Sequence, residues 1–345
     1  MIIEVRAFRM RTAVMVLAAV LLTGCVAQGP DQAERESWSR VIATAIRGLP
    51  GVADASHGFQ YHTVYGHPYY TSRLDVELED EATPDEAAAV VRAMGAQQLP
   101  EHYQGDSTLL YLNRGADVYS GSWRFGKQVD VQANSASTWV RVSAAGTGAE
   151  IHWSTSGFKP TGDPDGLTES ISVRAGSDSE PHRATAAMRR IIREFPELAS
   201  NDWKVSPVHE DRTVPMHSEL GPALDQSDRR PRFPSDGELE LWEWLLTDKP
   251  TPFFVEVSVY DPIGEAGRTL EVSIFPPAGR QFSAAQVTQL ADRHLRYLAR
   301  PGAVVDYTIH LRQALNFAVM VGGCQSAGVE VAPESQPYVR QYERC

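Results

Sequence analysis

Residues 70–94 read YTSRLDVELEDEATPDEAAAVVRAM and hold the change of periodicity from which the fold is read. Leu74, Val76 and Leu78 alternate with Asp75, Glu77 and Glu79, which predicts a strand with one buried and one wet face. Thr83-Pro84-Asp85-Glu86 follows: an N-cap threonine, a proline in the first turn and a glutamate that reaches back to the cap. The helix it opens carries Ala87, Val90, Val91 and Met94 on one side.

Upstream, Trp38, Val41, Ile42, Ala45, Ile46 and Leu49 recur at helical spacing, and Gly48 and Pro50 stop the pattern. A first strand from about Val52 to Thr63 joins the second, Tyr70 to Leu78, through a turn containing Gly66-His67-Pro68. Downstream, Leu109 to Leu112 predicts a closing strand. The order is αββαβ.

That order recurs, with helix starts near Pro84, Pro181 and Ser283 lying roughly 100 residues apart. In the second copy the strands fall at Ala149 to Thr155, Leu167 to Ala175 and Trp203 to Val208, with a helix over Glu180 to Arg193. Its first helix falls near Asn134 to Ala145, where Trp139, Val140 and Val142 fit a strand equally well. In the third, a Ser235 to Glu238 capping box opens a helix through Leu239 and Trp242. Strands follow over Phe254 to Tyr260 and Leu270 to Phe275, then a helix from Ser283 to Leu298 and a strand from Ala303 to Leu311. Each unit resembles a ferredoxin-like sandwich, two helices on an antiparallel sheet. The expectation is therefore an α+β chain of about three αββαβ repeats. The units span 33–130, 131–208 and 235–345, and the proline- and charge-rich stretch 209–234 is a linker.

At the N-terminus, Arg6, Arg9 and Arg11 precede the uncharged run Ala13 to Leu22. Ten residues are too few for a bilayer that needs about 20, but a basic segment before a short apolar one has the layout of an export signal. Leu22-Thr23-Gly24-Cys25 then resembles the lipobox of bacterial lipoproteins. That resemblance covers the first 25 residues, and Met10 offers an alternative start within them. It implies removal of residues 1–24 and acylation of Cys25, with palmitate-like chains as the membrane anchor. Residues 25–32 become a tether, and the body is expected on the extracytoplasmic face of the cell membrane.

Export puts the other two cysteines, Cys324 and Cys345, in an oxidising compartment. A disulfide between them is expected to staple the proline-containing tail. With 32 basic against 44 acidic residues and a formal charge of −12, the chain is a poor partner for nucleic acid.

Candidates for chemistry are weak. Ser156 to Lys159 fits S-x-x-K, but its companion motifs are missing, and a turn after a strand accounts for it. His57, His62 and His67 are spaced by five, which on a strand sends successive ones to opposite faces, although a hairpin could bring His62 toward His67. His62, Tyr65, His67, Tyr69 and Tyr70 read better as a polar, aromatic surface for a ligand or partner. The acidic run Asp75 to Glu81 reads as a solvated sheet face, and Trp242 as core. No metal or cofactor motif is present, and no catalytic residue is assigned. The expected role is non-catalytic binding or assembly in the envelope, with delivery of a solute or lipid to a membrane partner as the alternative. A hydrolase is the third reading and requires two or three of His152, His182, His294 and the acidic residues to converge in one cleft.

Overall fold

The computed structural model describes residues 32–64, 67–97, 107–124, 128–156, 168–177, 180–208, 219–222, 229–230, 232–262, 269–299, 304–311, 315–324, 330 and 332–345. Helix α1 (Gln32–Arg47) leads into strands β1 (Val52–Val64) and β2 (His67–Leu78). The same order then repeats: α2 (Pro84–Gly95), β3 (Ser107–Arg114), β4 (Asp117–Arg124); α3 (Val129–Ala145), β5 (Glu150–Ser156), β6 (Thr168–Arg174). Helix α4 (His182–Glu194) and a 3-10 turn precede β7 (Asp202–Ser206), β8 (Glu219–Pro222) and the two-residue β9 (Arg229–Arg230). Helix α5 (Asp236–Thr247) precedes β10 (Phe254–Pro262) and β11 (Thr269–Phe275). Helix α6 (Ala284–Leu298) precedes β12 (Val304–Ile309) and β13 (Phe317–Val321), and α7 (Gln336–Tyr342) ends the chain.

Three helices, α2, α5 and α6, start at the capping boxes that the sequence carries. Thr83 N–H donates to Glu86 Oε2 at 2.7 Å, and Glu86 N–H donates to Thr83 Oγ1 at 3.3 Å. The Ser235/Glu238 and Ser283/Gln286 boxes close in the same reciprocal way. The turn into β1 needs Gly51, which sits at φ +75° with Glu86 Oε2 2.8 Å from where a Cβ would stand.

Twelve strands lie in one sheet in the order β1-β2-β3-β4-β5-β6-β7-β8-β10-β11-β12-β13, with β9 paired on β10. Each hairpin is antiparallel, and each crossover through a helix sets the next hairpin parallel to the last: β2/β3, β4/β5, β6/β7, β8/β10 and β11/β12. Crossovers of one hand, all stepping in one direction, put every helix on the same side. The burial pattern agrees. On that side Ala55, Val76, Leu112, Tyr119, Trp153, Ile171 and Trp203 form one buried rung across β1 to β7. Ile151, Val173, Val205, Leu220, Val257, Val272, Tyr307 and Val319 continue a second rung to β13.

This corrects the expected fold class. The chain remains α+β, but it is not three ferredoxin-like sandwiches. A closed sandwich needs a strand that folds back beside an earlier strand of its own unit, and here every crossover carries the chain outward instead. The repeat is αββ, with helices starting roughly every 50 residues. The αββαβ reading lacks the last strand of each double unit: β4, β8 and β13. Two of these are the strands that join the expected units, through β4/β5 and β8/β10. Part of the expected linker 209–234 is β8, which pairs with both β7 and β10. The ambiguous Trp139 segment is helical, within α3, with Trp139, Val140 and Val142 buried.

Candidate functional site: the uncovered face of the sheet

Because all the packed helices lie on one side, the alternate residues of β1 to β12 point to a face on which no described helix packs. Following the register from β1 to β7, one rung on it is Ser56, Asp75, Tyr111, Ser120, Ser154, Ser170 and Asp202. The next is Asp54, Glu77, Asn113, Val118, His152, Ser172 and Lys204, and Ser122 pairs with Ser156 one step the other way. None of these residues is buried. Strands lie about 4.8 Å apart and alternate residues about 6.8 Å along a strand, so Ser120, Ser122, Ser154, Ser156, Ser170 and Ser172 form a compact hydroxyl lattice over β4 to β6.

The flank of the lattice toward β2 is charged and ordered. Arg73 donates to both carboxylate oxygens of Asp75 (2.7 and 2.6 Å), and its guanidinium lies 4.3 Å from the Tyr111 ring centre. Asn113 donates to Glu77 at 2.9 Å. The acidic run therefore forms a solvated strand face, as expected. Toward β13 the same face carries Ser258, Glu271, Asp306 and Met320 in one rung, a more acidic surface.

Beneath the lattice, polar groups on the helix side are tied to one another. Tyr119 OH donates to Gln132 Oε1 at 2.9 Å, and Thr155 Oγ1 donates to the same atom at 2.7 Å. Ser135 and Asn201 donate to the two oxygens of Glu169 at 2.6 and 2.8 Å. Burial pushes the Tyr119 phenol well above its usual range, so it serves as a neutral donor that fixes α3 against β4 and β5.

The three histidines of the hydrolase reading do not converge. His152 lies on the uncovered face, 3.5 Å from Glu150. His182 is exposed at the start of α4, and His294 is buried on α6, on the opposite side of the sheet from His152. His294 Nδ1 is 2.8 Å from the Tyr307 hydroxyl, among the rings of Trp244, Phe253 and Tyr307. Burial lowers its pKa to about 4, with Asp248 opposing and Arg293 adding to the effect. It is a neutral core histidine. Trp242 is core as expected, and Trp244 stacks on Tyr297 with ring centres 4.0 Å apart.

Of the expected aromatic surface, Tyr65 lies outside the described residues, as does Lys159 of the S-x-x-K match. The β1/β2 ladder sets His62 opposite Tyr69, Tyr61 opposite Tyr70, and His67 opposite Val64. It thus sets neither His62 nor His57 directly across from His67. β3 pairs with β2 only from Thr71 onward.

Cys324 and Cys345 are bonded, with Cα atoms 4.9 Å apart. Among the described residues, the grouping that could offer three metal ligands is Cys324, Glu343 and Cys345. The disulfide occupies two of its three members. Cys25 and the lipobox lie outside the described residues, and no described helix is long and apolar enough to cross a membrane.

The serine lattice is absent from the expectations drawn above. Its signal is present in the sequence as S-x-S in three consecutive strands: Ser120/Ser122, Ser154/Ser156 and Ser170/Ser172. Comparison with protein-family models, curated proteins and solved structures finds no match.

Proposed function

We propose that this chain is a non-catalytic binding or assembly protein of the cell envelope, held at the outer face of the membrane by acyl groups on Cys25. Its working surface is the uncovered face of the sheet. One observation carries the reading: the helices are confined to one side, which leaves a broad polar face whose centre is a lattice of serines rather than a poised acid, base or nucleophile. Repetition enlarges such a surface without adding chemistry. The LLTGC sequence supports the anchor.

Thiol mapping tests this in native membranes. Ser154→Cys and Ser170→Cys place reporters on the face, and Glu194→Cys places one on the helix side, where Glu194 is exposed. All three should react readily with a maleimide in purified protein. In membranes the two face thiols should be shielded by tenfold or more and the α4 thiol should not. Equal reactivity of all three in both settings overturns the reading. Intact mass of the extracted chain should show acyl chains on Cys25, and a mass without them refutes the anchor.

A further inference from the structure

The C-terminal tail lies along the outer edge of β13, held by hydrogen bonds and by a covalent link. Ala318 N–H donates to Ser335 Oγ at 3.2 Å, and Met320 N–H donates to Glu343 Oε1 at 3.0 Å. Gly322 N–H donates to the Tyr342 carbonyl at 3.0 Å, and Arg344 N–H donates to the Gly323 carbonyl at 2.9 Å. The covalent link is the Cys324–Cys345 bond. Backbone pairing therefore draws the two cysteine-bearing segments together independently of the sulfurs.

The chemistry gathered here exceeds what a staple needs. Both cysteines are exposed and Glu343 is half-buried, and the two sulfurs and one carboxylate oxygen all lie within 4.8 Å of one another. Glu343 Oε2 stands 3.9 Å from Cys345 Sγ, while Oε1 is taken by the Met320 N–H. The β13 backbone thus orients the carboxylate with its other oxygen toward the sulfurs, as an outer partner orients a metal ligand. A tetrahedral zinc site with thiolates at about 2.3 Å and a carboxylate at about 2.1 Å sets its ligand atoms roughly 3.6 to 3.8 Å apart. The carboxylate is already near that distance from Cys345, and the sulfurs reach it by moving apart when their bond is broken.

We propose that Cys324, Cys345 and Glu343 form a metal clip that takes over from the disulfide under reducing conditions, with a thiophilic divalent cation of the zinc class as its ligand. An external dithiol reduces the Cys324–Cys345 bond to two thiols and is itself oxidised to a disulfide; the exposure of both sulfurs admits it. The cation binds as the two thiols release two protons, held by both thiolates and the Glu343 carboxylate, with water in the fourth position. Thiolate ligands select zinc-class metals over magnesium or calcium. The cation also neutralises most of the negative charge that reduction would otherwise concentrate at the end of the tail. Without a link the tail opens part of the time, and the bound cation closes it over β13 again.

The test uses the full chain with Cys25→Ser, in which Cys324 and Cys345 are the remaining cysteines. The protein is reduced with dithiothreitol, desalted without oxygen and titrated with cobalt(II), a coloured stand-in for zinc. The reduced chain should bind one equivalent, with thiolate-to-cobalt charge-transfer bands in the near ultraviolet and the intense visible bands of a tetrahedral site, and zinc should bleach both. The oxidised chain should show neither. Glu343→Gln keeps an acceptor for Met320 N–H and should still form the disulfide on oxidation, but should weaken cobalt binding by tenfold or more. Sedimentation should give the same mass with and without cobalt. Absence of the bands in the reduced chain overturns the proposal. So does unchanged affinity in Glu343→Gln, or association that appears only with cobalt, which would mean that the thiolates come from two chains.

Discussion

Lowering the pH should unload one specific part of the core. His294 is fully buried on α6 with its Nδ1 on the Tyr307 hydroxyl, and burial depresses its pKa from 6.5 to about 4. The unfolded chain therefore takes up a proton near pH 6.5 that the folded chain refuses until about pH 4. The contribution to stability is complete above pH 6.5, falls between 6.5 and 4, and is flat below. A shift of that size corresponds to about 3 kcal/mol. The nearby Asp248 and Arg293 charges oppose and reinforce it respectively. Other carboxylates also titrate in this window, so the informative quantity is a difference between two proteins. His294→Phe combined with Tyr307→Phe removes the titrating ring without stranding a buried hydroxyl. Urea unfolding at pH 7, 5.5 and 4.5 should show the wild type losing about 2 to 3 kcal/mol more than the double variant across that range. Parallel stability curves for the two proteins would refute the reasoning.

Three further perturbations follow from the same packing. Replacing Cys324 and Cys345 with serine opens a loop of 21 residues separation; the unfolding free energy should drop by about 3 kcal/mol, and light scattering should report association as the β13 edge is uncovered. Trp203→Ala empties a fully buried site and removes the Nε1–H bond to the Arg232 carbonyl at 2.7 Å; denaturant unfolding should show a loss of about 3 to 5 kcal/mol. Glu238→Ala breaks the two bonds from Arg232, at 2.8 and 2.6 Å, together with the capping bond from Ser235 N–H at 2.7 Å. It should cost about 3 kcal/mol in the same assay. Burial raises the Glu238 pKa, but Arg232 and Ser235 more than offset it and the net shift is downward. The wild-type advantage is therefore present above the ordinary glutamate range and fades in acid.

The helices were legible because their signals are local. Capping boxes at Thr83, Ser235 and Ser283 and apolar stripes at helical spacing lie within a dozen residues of one another, and the structure places helices at each. The strands that escaped had reasons to escape. β4 carries Gly121 and two serines at its centre, residues with little preference for strands. β8 is four residues long and sits in a proline-rich stretch, and β13 is buried on both faces, so its sequence, FAVMV, does not alternate. Losing one strand per period turned αββαββ into αββαβ, and a closed sandwich into the natural reading. Val41 and Ala45 belong to the apolar stripe of α1 but are exposed, α1 being the first of the described helices and packed on β1 and α2 through its other side. Strand order, and with it the serine lattice, depends on pairing between segments far apart in the chain, which no local pattern encodes.

The continuity of the sheet is what gives the chain one broad face instead of three separate bodies, and cross-strand cysteines test it directly. Ser120 of β4 and Ser154 of β5 are partners in the parallel register, on either side of the boundary between the first two expected units. Ser120→Cys with Ser154→Cys should form an intramolecular disulfide on mild oxidation, read as a faster-migrating monomer on a non-reducing gel and a loss of two hydrogens by mass. Ser120→Cys paired with Ser258→Cys, several strands away, should not. Failure of the first pair to close in a folded protein would contradict the single sheet, and with it the face on which the proposed function rests.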